Sequence, residues 1–445
     1  MNPVVPIIAD GTGVMMGISK ENAAKAPLDW CFKAWPANAP AYMPDTLADL
    51  GWSILNEDVM LPVAVLSESA MRHNSTWMRR FTELADVKLA PHGKTTMSPE
   101  LFDLQFADGA WGMTAATAAQ VRIYRAHGIN RIILANQLVG RQPTDYVLGE
   151  LRGDPDFDFY CLVDSVAAIE QLERRMSAYP LAPKVQVLLE LGLDGGRGGV
   201  RDDDEAMAVA LRASVSHHLS LRGIEAFEGI LQGGGPEGEA RMCGLLQRMV
   251  DIAERCRRNG LFSGRPILSA GGSSFFDVAA AVLHQAGERG AYEVILRSGC
   301  YLVHDSSFYA DLVERLIARS PKAASLGEGL RPALEVWAYV QSRPEPTRAI
   351  IGLGKRDTSA DVRDPTPVRW ARPGEGKPLL LDAGHRTVRL DDHHAYVDVP
   401  ADSPLQVGDM VAFGVSHPCT TFDRWPALFV VDDALTVTGA VRTFF

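Results

Sequence analysis

The chain has 445 residues, of which 47% are hydrophobic and 22% charged, and 55 acids against 44 bases give a formal net charge of -11. This length and apolar content allow a large core and imply two domains or more. The acidic balance, with no run of Lys and Arg, excludes a nucleic-acid footprint, and no apolar stretch approaches the span of a bilayer.

The N-terminus, "MNPVVPIIADGTGVMMG", is broken by Pro, Asp and Gly and lacks a basic n-region, so it does not read as a signal peptide. Cys31, Cys161, Cys243, Cys256, Cys300 and Cys419 are scattered without a paired pattern, as in reduced cytoplasmic proteins, and no disulfide is expected. Residues 1–60, with Trp30 and Trp35, read as a helical leader packed on the outside.

From residue 61 to about 320, short β-rich runs alternate with amphipathic stretches, the pattern of successive βα units. The expected strands are "PVAVL" 62–66, "VKLAP" 87–91, "GAWGM" 109–113, "RIILA" 131–135, "DFYCLV" 158–163, "VQVLLEL" 185–191, "GIEAFEG" 223–229, "PILSAGG" 266–272 and "EVILRSG" 293–299. Ser98 and Ser165 are acceptable N-caps for two of the intervening helices. The eight runs from Val87 onward suit a closed (β/α)8 barrel more economically than an open sheet, and leave "PVAVL" as a strand before it. Residues 325–445 change to short alternating runs such as "PALEVWAYVQSR", "RAIIGLG" and "DMVAFGVSH", which read as an all-β domain, a barrel or sandwich.

Barrel chemistry sits at the C-terminal ends of strands. Lys94 follows the first barrel strand in "KLAPHGKTTMSPEL", where it can be an exposed loop charge, a phosphate clamp or a covalent anchor. Two glycine-containing turns, "SAGGSS" and "RSGCY", close the seventh and eighth strands. Small residues there let backbone N–H groups point at phosphate oxygens. A phosphate on one side of the mouth and an amine reaching its centre suit pyridoxal 5'-phosphate, whose aldehyde forms a Schiff base with lysine.

Arg197, in "ELGLDGGRGGV", is either a surface cation or a partner of the pyridine nitrogen that keeps it unprotonated. In "GVSHPCTTFDRW", His417 and Cys419 stand two apart on an expected strand end. Imidazole and thiolate together favour Zn²⁺ over harder divalent cations, while a structural Cys beside a hydrogen-bonded His is the simpler reading. His394, in "DDHHAYV", is a candidate for orienting a ligand, binding metal or transferring a proton.

Taken together, "PHGKTTMSPEL", "GMTAATAAQ", "LGLDGGRGGV", "LSAGGSSFFD", "RSGCYLVHD", "DDHHAYV" and "SHPCTTFDRW" resemble the pyridoxal-phosphate enzymes of alanine racemase-like fold, in the branch of D-serine dehydratase and D-threonine aldolase. The resemblance covers about residues 60 to 440. It implies Lys94 as the Schiff-base lysine and Arg197 as the partner of the pyridine nitrogen. It further implies Gly272, Ser273, Ser298, Gly299 and Cys300 at the phosphate, and His417 and Cys419 on Zn²⁺ or another divalent metal near the substrate's β-hydroxyl.

The aldolase branch tends to carry a carboxylate where this chain has Cys419, which favours dehydration of a β-hydroxy D-amino acid such as D-serine. The nearest rival is retro-aldol cleavage of D-threonine or D-3-hydroxyaspartate. A non-catalytic carrier of the cofactor is a rival of another class, but such carriers lack a C-terminal β-domain. Phe227 stands where relatives often have tyrosine. The family also implies a homodimer in which one chain's β-domain covers another's barrel mouth.

Overall fold

A computed structural model describes residues 26–179, 182–227, 229, 236–287 and 290–445. The first strand, β1 (Val63–Ser67), is followed by β2 (Lys88–Leu89), β3 (Met113–Ala115), β4 (Arg131–Gln137), β5 (Asp158–Val163), β6 (Val185–Leu191), β7 (Leu219–Ala226), β8 (Ile267–Ser269) and β9 (Glu293–Leu296). Strands β2 to β9 form one parallel sheet in the order β2-β9-β8-β7-β6-β5-β4-β3, with helices between successive strands.

The two ends of this row meet. Trp111 N–H donates to Leu89 O at 2.7 Å and Thr114 N–H to Pro91 O at 2.9 Å. The Thr114 hydroxyl donates to Ala90 O at 2.7 Å, and His92 bridges Thr114 in parallel. Eight parallel strands thereby close into the (β/α)8 barrel. The third expected strand is displaced: the ladder runs from Met113 to Ala115, because Gly109, at φ +88°, ends the preceding helix in a turn and leaves "GAWG" as its connection.

Strand alternation explains the two-layered core. Tyr160 and Leu162 of β5 pack inside the barrel with Ile133, Leu188, Ile267 and Ile295. Their neighbours Phe159, Cys161 and Val163 face outward into the larger apolar layer beneath the helices. Ser165 caps the helix Val166–Met176 by accepting from Ala168 N–H at 3.1 Å. Ser98 stands at the N-cap of Pro99–Ala107, but its hydroxyl donates to Glu100 at 2.9 Å instead.

The remaining strands are β10 (Leu334–Glu345), β11 (Arg348–Ile351), β12 (Thr366–Ala371), β13 (Leu379–Leu380), β14 (Arg386–Leu390), β15 (Ala395–Asp398), β16 (Met410–Gly414), β17 (Ala427–Val431) and β18 (Val437–Arg442). They form a mostly antiparallel sheet in the order β13-β12-β16-β10-β1-β17-β18, from which β11, β15 and β14 branch off the long β10. The strand that precedes the barrel in sequence is thus built into the β-domain, with β1 antiparallel to β10 and parallel to β17.

The expected helical leader falls partly on residues 1–25, outside the described residues. Between residues 26 and 60 the helical element is a 3-10 helix, Pro44–Leu50, and the rest is mainly turns. Trp35 is buried, its ring 5.2 Å from Trp52 and 6.3 Å from Phe429 of β17, and Val437 N–H of β18 donates to Trp52 O at 2.8 Å. Trp30 is 82% exposed. This segment therefore packs on the β-domain. Among the described residues, no helix is long and apolar enough to cross a membrane.

Candidate active site

At the C-terminal mouth of the barrel, His92, Lys94, Ala116, Ala135, Asn136, Arg197, Phe227, Gly272 and Arg297 line one cleft. Lys94 sits on a single 3-10 turn, Gly93–Thr95, that leaves β2. A larger hollow opens at the opposite end, around Arg79, Lys88, Arg265 and Glu293. Those residues lie near strand starts and Lys88 is paired with Glu293, so the smaller cleft is the chemically suited one.

Three cations face this cleft, and among the described residues only one of them is ion-paired. Arg297 is buried against Glu225 and donates to Ala226 O at 3.0 Å. Among the described residues, no carboxylate lies within ion-pair distance of Lys94 or Arg197. The Arg197 guanidinium instead lies 4.7 Å from the centroid of the Phe227 ring, a cation–π contact that a ring without a hydroxyl supplies fully.

Burial pushes the His92 imidazole well below its usual pKa, and the charges of Lys94, Arg297 and Arg197 push it the same way. His92 is therefore neutral beside Lys94. Its Nδ1 is buried, with no hydrogen-bond partner among the described residues. Glu190 is raised first by burial, against which the Gln137 hydrogen bond acts, and it packs under the Arg197 loop, where a Cβ on Gly198 would lie 2.9 Å from its carboxylate.

The two expected phosphate turns are fastened to each other. Arg297 N–H donates to Gly271 O at 3.0 Å, and the Ser298 hydroxyl donates to Gly271 O at 3.2 Å and to Gly272 O at 3.1 Å. A Cβ at Gly299 would stand 2.4 Å from His92 O, so only glycine lets this turn pass so close to the Lys94 turn. Gly272, Ser273, Ser298, Gly299 and Cys300 thus share one end of the barrel mouth. Ser298 is buried with its hydroxyl already engaged, which leaves backbone N–H groups as the donors for an anion.

Cys300 points elsewhere. Its thiol lies 3.5 Å from Cys419 Sγ, and Thr95 Oγ1 is 3.6 Å from Cys300 Sγ and 3.4 Å from Cys419 Sγ. The hydrogen bond from Cys419 lowers the Cys300 pKa while raising that of Cys419, so the pair favours one thiolate and one thiol.

His417 and Cys419 do not stand on a strand end. They follow β16 in a loop, and Pro418, in helical conformation, starts the short helix Cys419–Phe422. The His417 ring donates from Nδ1 to Asp361 at 2.6 Å, and Thr420 Oγ1 donates to the other Asp361 oxygen at 3.1 Å. Burial raises the Asp361 pKa, but the His417 hydrogen bond and charge outweigh it and hold the carboxylate low.

A carboxylate on Nδ1 leaves Nε2 as the nitrogen that a ligand could meet, an arrangement also found behind metal-bound histidines. Among the described residues, no three His, Cys, Asp or Glu side chains converge as a metal site. His394 sits exposed on the β14–β15 hairpin, its carbonyl accepting Asp391 N–H at 2.9 Å, and does not line the Lys94 cleft.

His92, Glu225, Thr95 and Asp361 are site residues that sequence reasoning passed over. His92 lay within the quoted "PHGK" motif, and Thr95 is the residue after the lysine. Glu225 and Asp361 carried no local signal, since each acts on a partner distant in the chain.

Residues 66–286 match the family model "Alanine racemase, N-terminal domain" and residues 333–431 match "Putative serine dehydratase domain". A D-threonine aldolase from Arthrobacter sp is 26% identical over 377 residues, covering 84% of this chain and 89% of its own. A D-threo-3-hydroxyaspartate dehydratase from Delftia sp. (strain HT23) is 28% identical over 403 residues, covering 86% of this chain and 96% of its own. The structure of a D-threo-3-hydroxyaspartate dehydratase, a cysteine-to-alanine mutant in the metal-free form, superposes with a TM-score of 0.68 at 21% identity over 88% of this chain and 99% of its own. The structure of a D-threonine aldolase from Filomicrobium marinum superposes with a TM-score of 0.72 at 22% identity, covering 88% of this chain and 97% of its own.

Proposed function

This chain belongs to the alanine racemase-like family of pyridoxal-phosphate enzymes and ends in a serine dehydratase domain, and from that premise we propose a lyase acting on a β-hydroxy D-amino acid. The preferred substrate in this reading is D-serine or a close analogue, and the products are a 2-oxo acid and ammonia. The observation that carries it is Lys94, a cation with no carboxylate partner among the described residues, which shares one cleft with Arg197 and with Gly272 of the glycine turn. The positive charge and the free-standing amine of such a cleft match an anionic cofactor that also needs a lysine.

Pyridoxal phosphate, when bound there, supplies an electron sink for the substrate's α-carbon. Lys94 holds the cofactor and serves as the base at the α-proton. Arg197, fixed over Phe227, is the partner of the pyridine nitrogen and, being permanently charged, leaves no proton for it. Backbone N–H groups of Gly272, Ser273, Ser298, Gly299 and Cys300 hold the phosphate. His92, half-buried and held neutral, keeps the Lys94 turn from carrying a further charge.

His417 and Cys419 would hold Zn²⁺, or another divalent metal, which supplies a Lewis acid for the β-hydroxyl. The Asp361–His417 hydrogen bond and the soft thiol of Cys419 support that donor set. The metal-free form of the dehydratase relative supports metal use in the family. His394 remains the candidate for proton transfer, provided that a second chain brings its hairpin to a barrel mouth. A homodimer is supported by β13, whose Leu379 and Leu380 are 60% and 85% exposed. Six unpaired cysteines support the cytoplasm as its compartment.

The second reading is retro-aldol cleavage, supported by the aldolase relative. Cys419, a thiol where the aldolase branch tends to carry a carboxylate, favours dehydration. Incubation with D-serine, D-threonine and D-threo-3-hydroxyaspartate in separate reactions decides between them. Oxo acid and ammonia in equal amounts support the proposal; glycine and an aldehyde without oxo acid overturn it in favour of the aldolase.

A further inference from the structure

The turn after β9 faces two ways. Its backbone borders the cleft that holds Lys94, while the Cys300 side chain runs under the β-domain to meet Cys419, 119 residues further along the chain, at an Sγ–Sγ distance of 3.5 Å. Cys300 is buried, so this contact is fixed by packing rather than by a freely rotating surface thiol. The separation is too long for a disulfide, whose sulfurs are about 2.05 Å apart. Two thiolates on one tetrahedral Zn²⁺, each at about 2.3 Å, stand about 3.8 Å apart. The sulfurs therefore already have nearly the spacing that a shared ion requires.

Thr95, one residue from Lys94, contacts both sulfurs through its hydroxyl at 3.6 and 3.4 Å and gives the pair a polar neighbour inside the protein. The loop that carries Cys419 also carries His417, with Asp361 on its Nδ1. We propose that Cys300 is a further ligand of the metal, which makes the seat a two-sulfur, one-imidazole set selective for Zn²⁺ over Mg²⁺ or Ca²⁺. This rests on the reading of His417 and Cys419 as metal ligands. The two sulfurs are the preformed part of the seat, and the imidazole closes on them. One residue then ties the metal to the cofactor cradle, by its backbone on one side and its sulfur on the other.

The test is X-ray absorption of the full-length protein loaded with Zn²⁺, which counts sulfur neighbours directly and needs no variant. Two sulfurs at about 2.3 Å are expected. Zn²⁺ retained with a single sulfur overturns the role of Cys300 and leaves His417 and Cys419 standing. No Zn²⁺ retained, or retention untouched by His417→Ala, removes the metal reading itself and this inference with it. Cys300→Ser, checked for folding by its thermal transition, is expected to keep one sulfur and to lose Zn²⁺ to a chelator at least about tenfold more readily. Unchanged retention and an unchanged sulfur count in that variant also overturn the inference.

Discussion

At the barrel mouth, Lys94, Arg197 and Arg297 gather positive charge around a cleft walled by backbone; across from it, the loop after β16 presents an imidazole and a thiol held by Asp361 and Thr95. The first region is built by strand ends, so its donors are N–H groups and long cations whose positions follow from the closure of eight strands. The second is built by a loop with its own short helix, and its donors are fixed by side chains from elsewhere in the chain. In the proposed reading the first takes the anionic cofactor and the second the metal. The Cys300–Cys419 contact is where the two meet.

Substitutions on either side of that contact separate the two roles. Lys94→Ala is expected to have the largest effect, a loss of about 10²–10⁴-fold in kcat/KM or more, since in the proposed reading it removes both the anchor and the base. Steady-state kinetics on the preferred β-hydroxy D-amino acid measures it. Cys419→Ser and His417→Ala come next: each should lower turnover about 10²-fold and release the metal, while the visible absorbance of the bound cofactor persists. Loss of that absorbance in either variant would erase the division between the two regions.

Asp361→Asn keeps a hydrogen-bond acceptor beside His417 but removes the charge, and should weaken metal binding about 10–100-fold without touching the cofactor, as read by metal titration. Trp35→Ala acts on neither region. It should cost about 3–5 kcal/mol of stability, seen in denaturant unfolding, and leave the metal content of the folded protein unchanged.

Much of the barrel was legible because its strands are buried on both faces and read as apolar runs between turn signals. "RIILA", "DFYCLV" and "VQVLLEL" fall on β4, β5 and β6. The place of β1 was not legible, since a strand's sequence does not record its partners: β1 precedes the barrel in the chain yet pairs with β10 and β17. The third expected strand was set too early because Trp111 looks like a strand residue, whereas the turn at Gly109, φ +88°, delays the ladder to Met113.

The site follows the same division. Lys94, Arg197 and Gly272, which line one cleft, were singled out by asking what stands after each strand. The direction of the Cys300 side chain was hidden, because a strand-end turn sets it, not alternation. The His417–Asp361 hydrogen bond crosses 56 residues, and Arg297 reaches Glu225 of β7 past the intervening β8, so neither pair leaves a local mark. The helical turn at Cys419 follows from Pro418, which takes helical φ and opens the helix.

The central claim is that Lys94 carries pyridoxal phosphate. Borohydride reduction of the cofactor-loaded protein, followed by peptide mapping, tests it most directly. The account predicts a visible band that disappears on reduction and a single modified peptide containing Lys94, both absent in Lys94→Ala. A band that survives in Lys94→Ala, or a modified lysine elsewhere in the chain, would contradict it.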